Sequence, residues 1–144
     1  MKPEGALWHA TCIAFGPQNG ILILGPSGSG KSALGLQLMA LGAQLVSDDQ
    51  TVLTVQDGAV FATAPLTISG LIEARGVGIL QVGALKTARL ALVVDLGTVE
   101  TARLPHRRQQ EIHAIALPLL HKVEGGHFPA AILHYMQAAI RDGR

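Results

Sequence analysis

The chain has 144 residues, 49% hydrophobic but only 3% aromatic, so residues 1–144 are expected to form a single domain around an aliphatic core. Charged residues are 15%, against about 25% in an average soluble chain, which leaves apolar surface to cover and points to a homo-oligomer. A formal charge of +1 argues against a nucleic-acid binder, and the lone Cys12 excludes an internal disulfide or a Cys-based zinc site. No run approaches the roughly 18 apolar residues of a membrane span, and Lys2-Pro3-Glu4 does not open a secretory signal; a cytoplasmic protein is expected.

In chain order, Leu7–Phe15 alternates as a strand, with Leu7, His9, Thr11, Ile13 and Phe15 on one face. Gly16–Gly20 is a turn, and Ile21–Leu24 is a short buried strand. A helix is predicted over Lys31–Leu41, with Leu34, Leu38 and Leu41 inward and Gly42 as its stop. Ala43–Ser47 reads as a strand, and Thr51–Thr63 as a hairpin turning at Asp57-Gly58. Gly78–Val82, Arg89–Leu96 and Glu111–Leu120 are three further strands. The last helix runs from Pro129 to Ile140, with Ile132, Met136, Ala139 and Ile140 as its apolar stripe. No repeat or linker divides the chain. The class is α/β: a mixed sheet rich in strands, with few helices.

Gly25-Pro26-Ser27-Gly28-Ser29-Gly30-Lys31-Ser32 satisfies G-x-x-x-x-G-K-[ST] in full, between an aliphatic strand and an apolar helix. Such a loop turns successive backbone N–H groups inward to cradle phosphates, and the helix adds its free N-terminal donors and dipole. Lys31 puts a charge on the β and γ phosphates, and Ser32 offers its hydroxyl to Mg²⁺. ATP and Mg²⁺ are the ligands expected. The carboxylate that this chemistry needs has two candidate sources. One is the pair Asp48-Asp49; the other is Asp95, which closes the apolar run "LALVVD" in the manner of an ordinary Walker B acid. Adjacent residues of an extended chain point opposite ways, so only one of Asp48 and Asp49 faces the phosphates unless the chain turns between them.

His9, "GPSGSGKS", "LVSDD" and "IEARGVGILQV" (Ile72–Val82), in that order, resemble the catalytic C-terminal domain of HPr kinase/phosphorylase. The resemblance covers Leu7 to about Val82. It implies the P-loop fold of the HPr kinase and phosphoenolpyruvate carboxykinase type. It implies an ATP-dependent serine kinase acting on the phosphocarrier HPr, able also to remove the phosphate by phosphorolysis, and a homo-oligomer, since the family forms hexamers. Carried over residue by residue, it assigns Gly25–Ser32 to the nucleotide phosphates and Lys31 to the transferred phosphoryl group. Ser32 and Glu73 hold Mg²⁺, with Asp48 beside the metal. Asp49 accepts the proton in phosphorylation and returns it in dephosphorylation. His9 lies in the active site, and Arg75 serves both directions. Bottom-up chemistry agrees: serine is a poor nucleophile, and one carboxylate is able to accept and return its proton.

The chain departs from the family in three ways. It is expected to lack the extra N-terminal domain of longer members. Ala33 follows the loop serine where the family commonly has an acid. "EGGHFPAAIL" offers His127, and no arginine, where the family has glycine-arginine-asparagine. Phosphorylation is therefore better supported than phosphorolysis. Two rivals follow: a small-molecule kinase on a related fold, and a nucleotide sensor that transfers nothing. Of the other residues, His106–Glu111 reads as a solvated loop, the remaining histidines fit no zinc spacing, and Cys12 is a small core residue.

Overall fold

Aliphatic alternation makes β1 (Ala6–Ala14), and this strand serves two sheets. The protein is described here by a computed structural model covering residues 5–141, with side chains described through residue 138. The first half of β1 pairs antiparallel with β4 (Gln50–Gln56), which turns into β5 (Ala59–Thr63). The second half pairs with β2 (Gly20–Leu24) and β3 (Gln44–Ser47). The 13-residue β8 (Thr87–Val99) is also shared: its start pairs with β5, and its middle pairs parallel with β2. Beyond it, β10 (Ile115–Lys122) runs parallel to β8, and β9 (Arg108–Ile112) forms the edge. A separate hairpin, β6 (Leu71–Ala74) with β7 (Gly78–Gln81), stands apart from this sheet. The helices are α1 (Lys31–Ala40) and α2 (Phe128–Arg141).

Because β1 and β8 each belong to two sheets, the sheets close over one another and enclose Ala10, Cys12, Ala14, Ala62 and Ala88 with Leu22, Leu53 and Val93. Such an enclosure admits small side chains, and none of its buried residues is aromatic, with Trp8 packed against it from outside. The other face of β2 and β8 carries Ile21, Ile23, Leu92 and Val94, and these pack under Leu34 and Leu38 of α1 and Ile132 and Met136 of α2. So "ILIL" is apolar throughout because it is covered on both faces. Leu90 and Leu92, two residues apart, fall in opposite cores. A bulge skips Ala91 between the pairs Gly20–Leu90 and Ile21–Leu92 and reverses the facing of the strand.

Four expectations need correction. Leu41 is 41% exposed, because α1 ends at Ala40 and Leu41 is its cap. The expected strand Glu111–Leu120 is a hairpin: His113 (φ 48°) and Ala114 (φ 68°) both turn left-handed, which suits a two-residue turn between twisted strands. Neither is Gly, Asn or Asp, so the turn lacks the usual hairpin signature, although histidine tolerates positive φ better than most residues; the His113 ring lies edge-on to Trp8, 5.9 Å between centroids. His106–Glu111 is not wholly a loop, since Arg108 opens β9 and pairs with Glu100. Ile72–Glu73–Ala74 is β-structure, where the sequence had suggested a strand only from Gly78. Ile132 and Met136 are buried as expected on the α2 stripe, while the side chains of Ala139 and Ile140 lie outside the described residues.

Candidate active site

The strand β2 delivers the chain to Gly25 at its carboxyl end, and α1 begins six residues later. Between them the loop bends through three left-handed glycines: Gly25 (φ 152°), Gly28 (φ 82°) and Gly30 (φ 99°). A Cβ on Gly25 would overlap Ser29 Oγ and crowd Leu96, so this position takes no side chain. Lys31, the first residue of α1, is buried and folds back over the loop. Its Nζ donates to Gly25 O (2.8 Å) and Pro26 O (3.2 Å) and lies 3.3 Å from His9 Nε2. An ammonium only donates, so in the neutral imidazole Nε2 accepts and Nδ1 carries the hydrogen. Nδ1 stands 3.5 Å from Asp49 Oδ1, at the outer limit of a hydrogen bond. Ser27 Oγ is also 3.5 Å from His9 Nε2.

Asp48 and Asp49 connect β3 to β4. The chain does turn between them: Asp49 has φ 65°, a left-handed conformation that aspartate tolerates better than most residues. Asp48 is buried, and its carboxylate accepts from Ser32 Oγ (2.6 Å) and Thr11 Oγ1 (2.9 Å) on Oδ1 and from the Glu73 N–H (3.0 Å) on Oδ2. Asp49, 61% exposed, points into a cleft of about 680 Å³. That cleft runs along the loop and one side of α1 and is walled by Glu73 and Arg75 of the β6–β7 hairpin. Arg75 stands in the turn, which the Val77 N–H closes onto Ala74 O at 2.9 Å.

His9, Lys31, Ser32, Asp48 and Asp49 are thus brought together, and Glu73 and Arg75 line the same cleft. Asp95 is not among its lining residues: it lies in register with Leu24 and folds its carboxylate onto the Gly97 N–H at 2.8 Å. Ser32 and Asp48 bring oxygens together at one point, donors of the kind that a hard cation such as Mg²⁺ takes, and Glu73 meets Asp48 there through its backbone N–H. Sequence reasoning did not single out Thr11, which is an unremarked member of an alternating strand. Nor did it single out Leu36, Gln37 and Val77, which line the cleft. Helical periodicity places Leu36 opposite Leu34 and Leu38, but it puts Gln37 one turn beyond Leu34, so spacing alone did not mark the two as a pair.

A second cleft of about 470 Å³ shares Gly30, Ala33 and Gln37 and is bounded by Lys122, Val123 and Phe128 at the entry to α2. Farther off, Glu100 accepts both Arg108 Nε and Nη2 at 2.9 Å, which holds its carboxyl down at about 2. His121 Nδ1 is 3.9 Å from the same carboxylate. Burial pushes the Cys12 thiol up to about 12.

A closed, strand-rich α/β sheet with a glycine loop feeding a helix N-terminus, and two carboxylates returning to that loop, defines a class of phosphate-handling domain. Residues 6–119 match the HPr Serine kinase C-terminal domain, and the chain belongs to that family. It is 43% identical over 103 residues to the HPr kinase/phosphorylase of Clostridium kluyveri, covering 67% of this chain and 33% of that protein. With the HPr kinase/phosphorylase of Clostridium tetani it is 40% identical over 99 residues, covering 69% of this chain and 31% of the other. The chain therefore spans about a third of the length of these curated relatives. The fold also matches the Hpr(Ser) kinase/phosphatase from Coxiella burnetii, with a TM-score of 0.79 at 23% identity over 95% of this chain and 97% of that one.

Proposed function

We propose that the protein is an ATP-dependent kinase that phosphorylates a serine of the phosphocarrier HPr, and that residues 1–144 act as one catalytic domain. The observation that carries this reading is the meeting of Lys31, Asp48 and Asp49 at one loop, through the 2.6 Å Ser32–Asp48 bond and the His9 contacts to Lys31 and Asp49. In phosphorylation the serine Oγ attacks the γ-phosphorus, the bond to the bridging oxygen breaks, ADP leaves, and the serine proton passes to Asp49. Asp49 is open to the cleft and so is able to meet an incoming side chain. Lys31 and the loop amides carry the charge of the transferring group. Ser32, Asp48 and Glu73 would hold Mg²⁺, which when bound neutralises phosphate charge.

In phosphorolysis inorganic phosphate would attack the phosphorus of phosphoserine, the bond to the serine oxygen would break with pyrophosphate formed, and the protonated Asp49 would return its proton to that oxygen. We expect it to be the weaker direction, because His127 replaces the family's arginine ahead of α2 and cannot supply a fixed guanidinium fork. The second cleft, beside Gly30 and Ala33, is assigned to the nucleoside. Val77 and Ile79, exposed on the β6–β7 hairpin, are apolar surface that a homo-oligomer or HPr would cover. Among the described residues no helix is long and apolar enough to cross a membrane; we place the protein in the cytoplasm with its substrate.

The test is incubation with ATP, Mg²⁺ and HPr, with the phosphate located by mass spectrometry. Phosphoserine on HPr supports the reading. Turnover of a metabolite without it supports a small-molecule kinase, and nucleotide binding with no transfer supports a sensor.

A further inference from the structure

We propose that Thr11 is a positioning residue that sets both aspartates at once; this rests on the kinase reading above. Thr11 lies in the middle of β1, opposite Ile23, and is fully buried among aliphatic neighbours. A hydroxyl there must be bonded to offset its lost hydration. It has one hydrogen to give and lone pairs to accept with, and both are used on one target. Oγ1 donates to Asp48 Oδ1 at 2.9 Å and accepts the backbone N–H of Asp49 at 3.2 Å.

The two bonds act differently. The first is one of three that hold the Asp48 carboxylate, and Ser32 shares the same oxygen. Without it the carboxylate is held only from the loop side and the hairpin side, and it is free to swing about those two. The second bond holds the peptide that leads into the left-handed Asp49, where the chain reverses and sends its side chain toward the cleft. The neighbouring Ala10 N–H fixes the far side of that residue by donating to Asp49 O at 2.9 Å. The methyl group of Thr11 faces α1 at Gly35, where an added Cβ would lie 3.4 Å from Thr11 Cγ2, an ordinary contact distance. With its methyl against the helix, the hydroxyl is directed at the aspartate turn.

The experiment compares Thr11→Val, which keeps the shape and removes the hydroxyl, with Thr11→Ser, which keeps the hydroxyl and removes the methyl. Steady-state transfer from ATP to HPr, hydrogen exchange of the Asp49 amide, and the thermal midpoint are measured on the full chain. Misplacement of catalytic groups by even an ångström costs on the order of 100-fold, so Thr11→Val should lower kcat by about 10- to 100-fold with little change in the KM for ATP. Its Asp49 amide should exchange at least about tenfold faster than in the wild type, in line with the loss of one hydrogen bond. Thr11→Ser should restore most of kcat although it loses more packing. If Thr11→Val does not fold, Thr11→Ala against Thr11→Ser isolates the hydroxyl in the same way. A valine variant with unchanged kcat, or a serine variant as impaired as the valine one, overturns the proposal. Should the wild type transfer nothing to HPr, the kinase reading fails instead. The Asp49 amide then decides alone, because unchanged exchange in Thr11→Val refutes the positioning role.

Discussion

Replacing Asp49 by asparagine separates chemistry from folding. The residue sits at φ 65°, a region that asparagine adopts as readily as aspartate, so the backbone has no reason to move. Its side chain is 61% exposed and has a single long contact, 3.5 Å to His9 Nδ1, which at such exposure is worth at most a few tenths of a kcal/mol. Thermal stability should therefore stay within about 0.5 kcal/mol of the wild type, as for surface changes away from special features. The amide cannot take the serine proton, and general-base catalysis contributes about 10²–10⁴ in rate, or about 3–5 kcal/mol of barrier. The assay is phosphoserine formation on HPr under saturating ATP, with nucleotide affinity measured separately. We expect a loss of that size in kcat at unchanged ATP affinity. Transfer within about tenfold of the wild type would refute the assignment, since it falls below the contribution of a base. Asp49→Ala is the control for backbone strain: it should lose the same activity and also about 1 kcal/mol of stability, because alanine is poorly suited to a left-handed position.

Two further outcomes follow from charges and burial elsewhere. Cys12 is fully buried and its thiol keeps its proton up to about 12, against an ordinary 9.0, so iodoacetamide at pH 8 should label it only after unfolding, as read by intact mass; labelling of the native protein would refute its burial. The unfolded thiol releases its proton near 9.0 and the folded one near 12, so this thiol's contribution to stability is intact below 9 and declines as pH rises toward 12. Glu100 behaves oppositely: Arg108 holds it at about 2, below its ordinary 4.5, so its contribution is intact above 4.5 and is lost as pH falls toward 2. Arg108→Gln should return Glu100 toward its ordinary value in a carbon-detected NMR titration, and an unmoved midpoint would refute the pairing as the cause.

The loop Gly25–Ser32, the strand before it and the helix after it were legible because each is set by neighbours in the chain: glycines for left-handed turns, apolar runs for buried strands, 3.6-residue spacing for a helix. The Asp57-Gly58 turn was legible for the same reason, with φ 51° and 75° at the two residues that most readily take them. The turn at His113-Ala114 was not, because alanine has little preference for a left-handed conformation and histidine only some, and it is the pairing of β9 with β10 that requires the turn there. Pattern alone left the choice between Asp48-Asp49 and Asp95 open, and only the family resemblance favoured the pair. Both follow apolar strands, and what separates them is where each carboxylate points: Asp48 to Ser32, and Asp95 back to Gly97.

Thr11 marks the boundary between the two kinds of information. One-dimensional alternation settled that it lies on a strand beside aliphatic residues. Pairing of β1 with β3 and β4 brought its hydroxyl to residues 37 and 38 positions away, a meeting that depends on sheet closure. Short-range preference decides which element forms, while long-range packing decides what its side chains touch, and catalysis depends on the second.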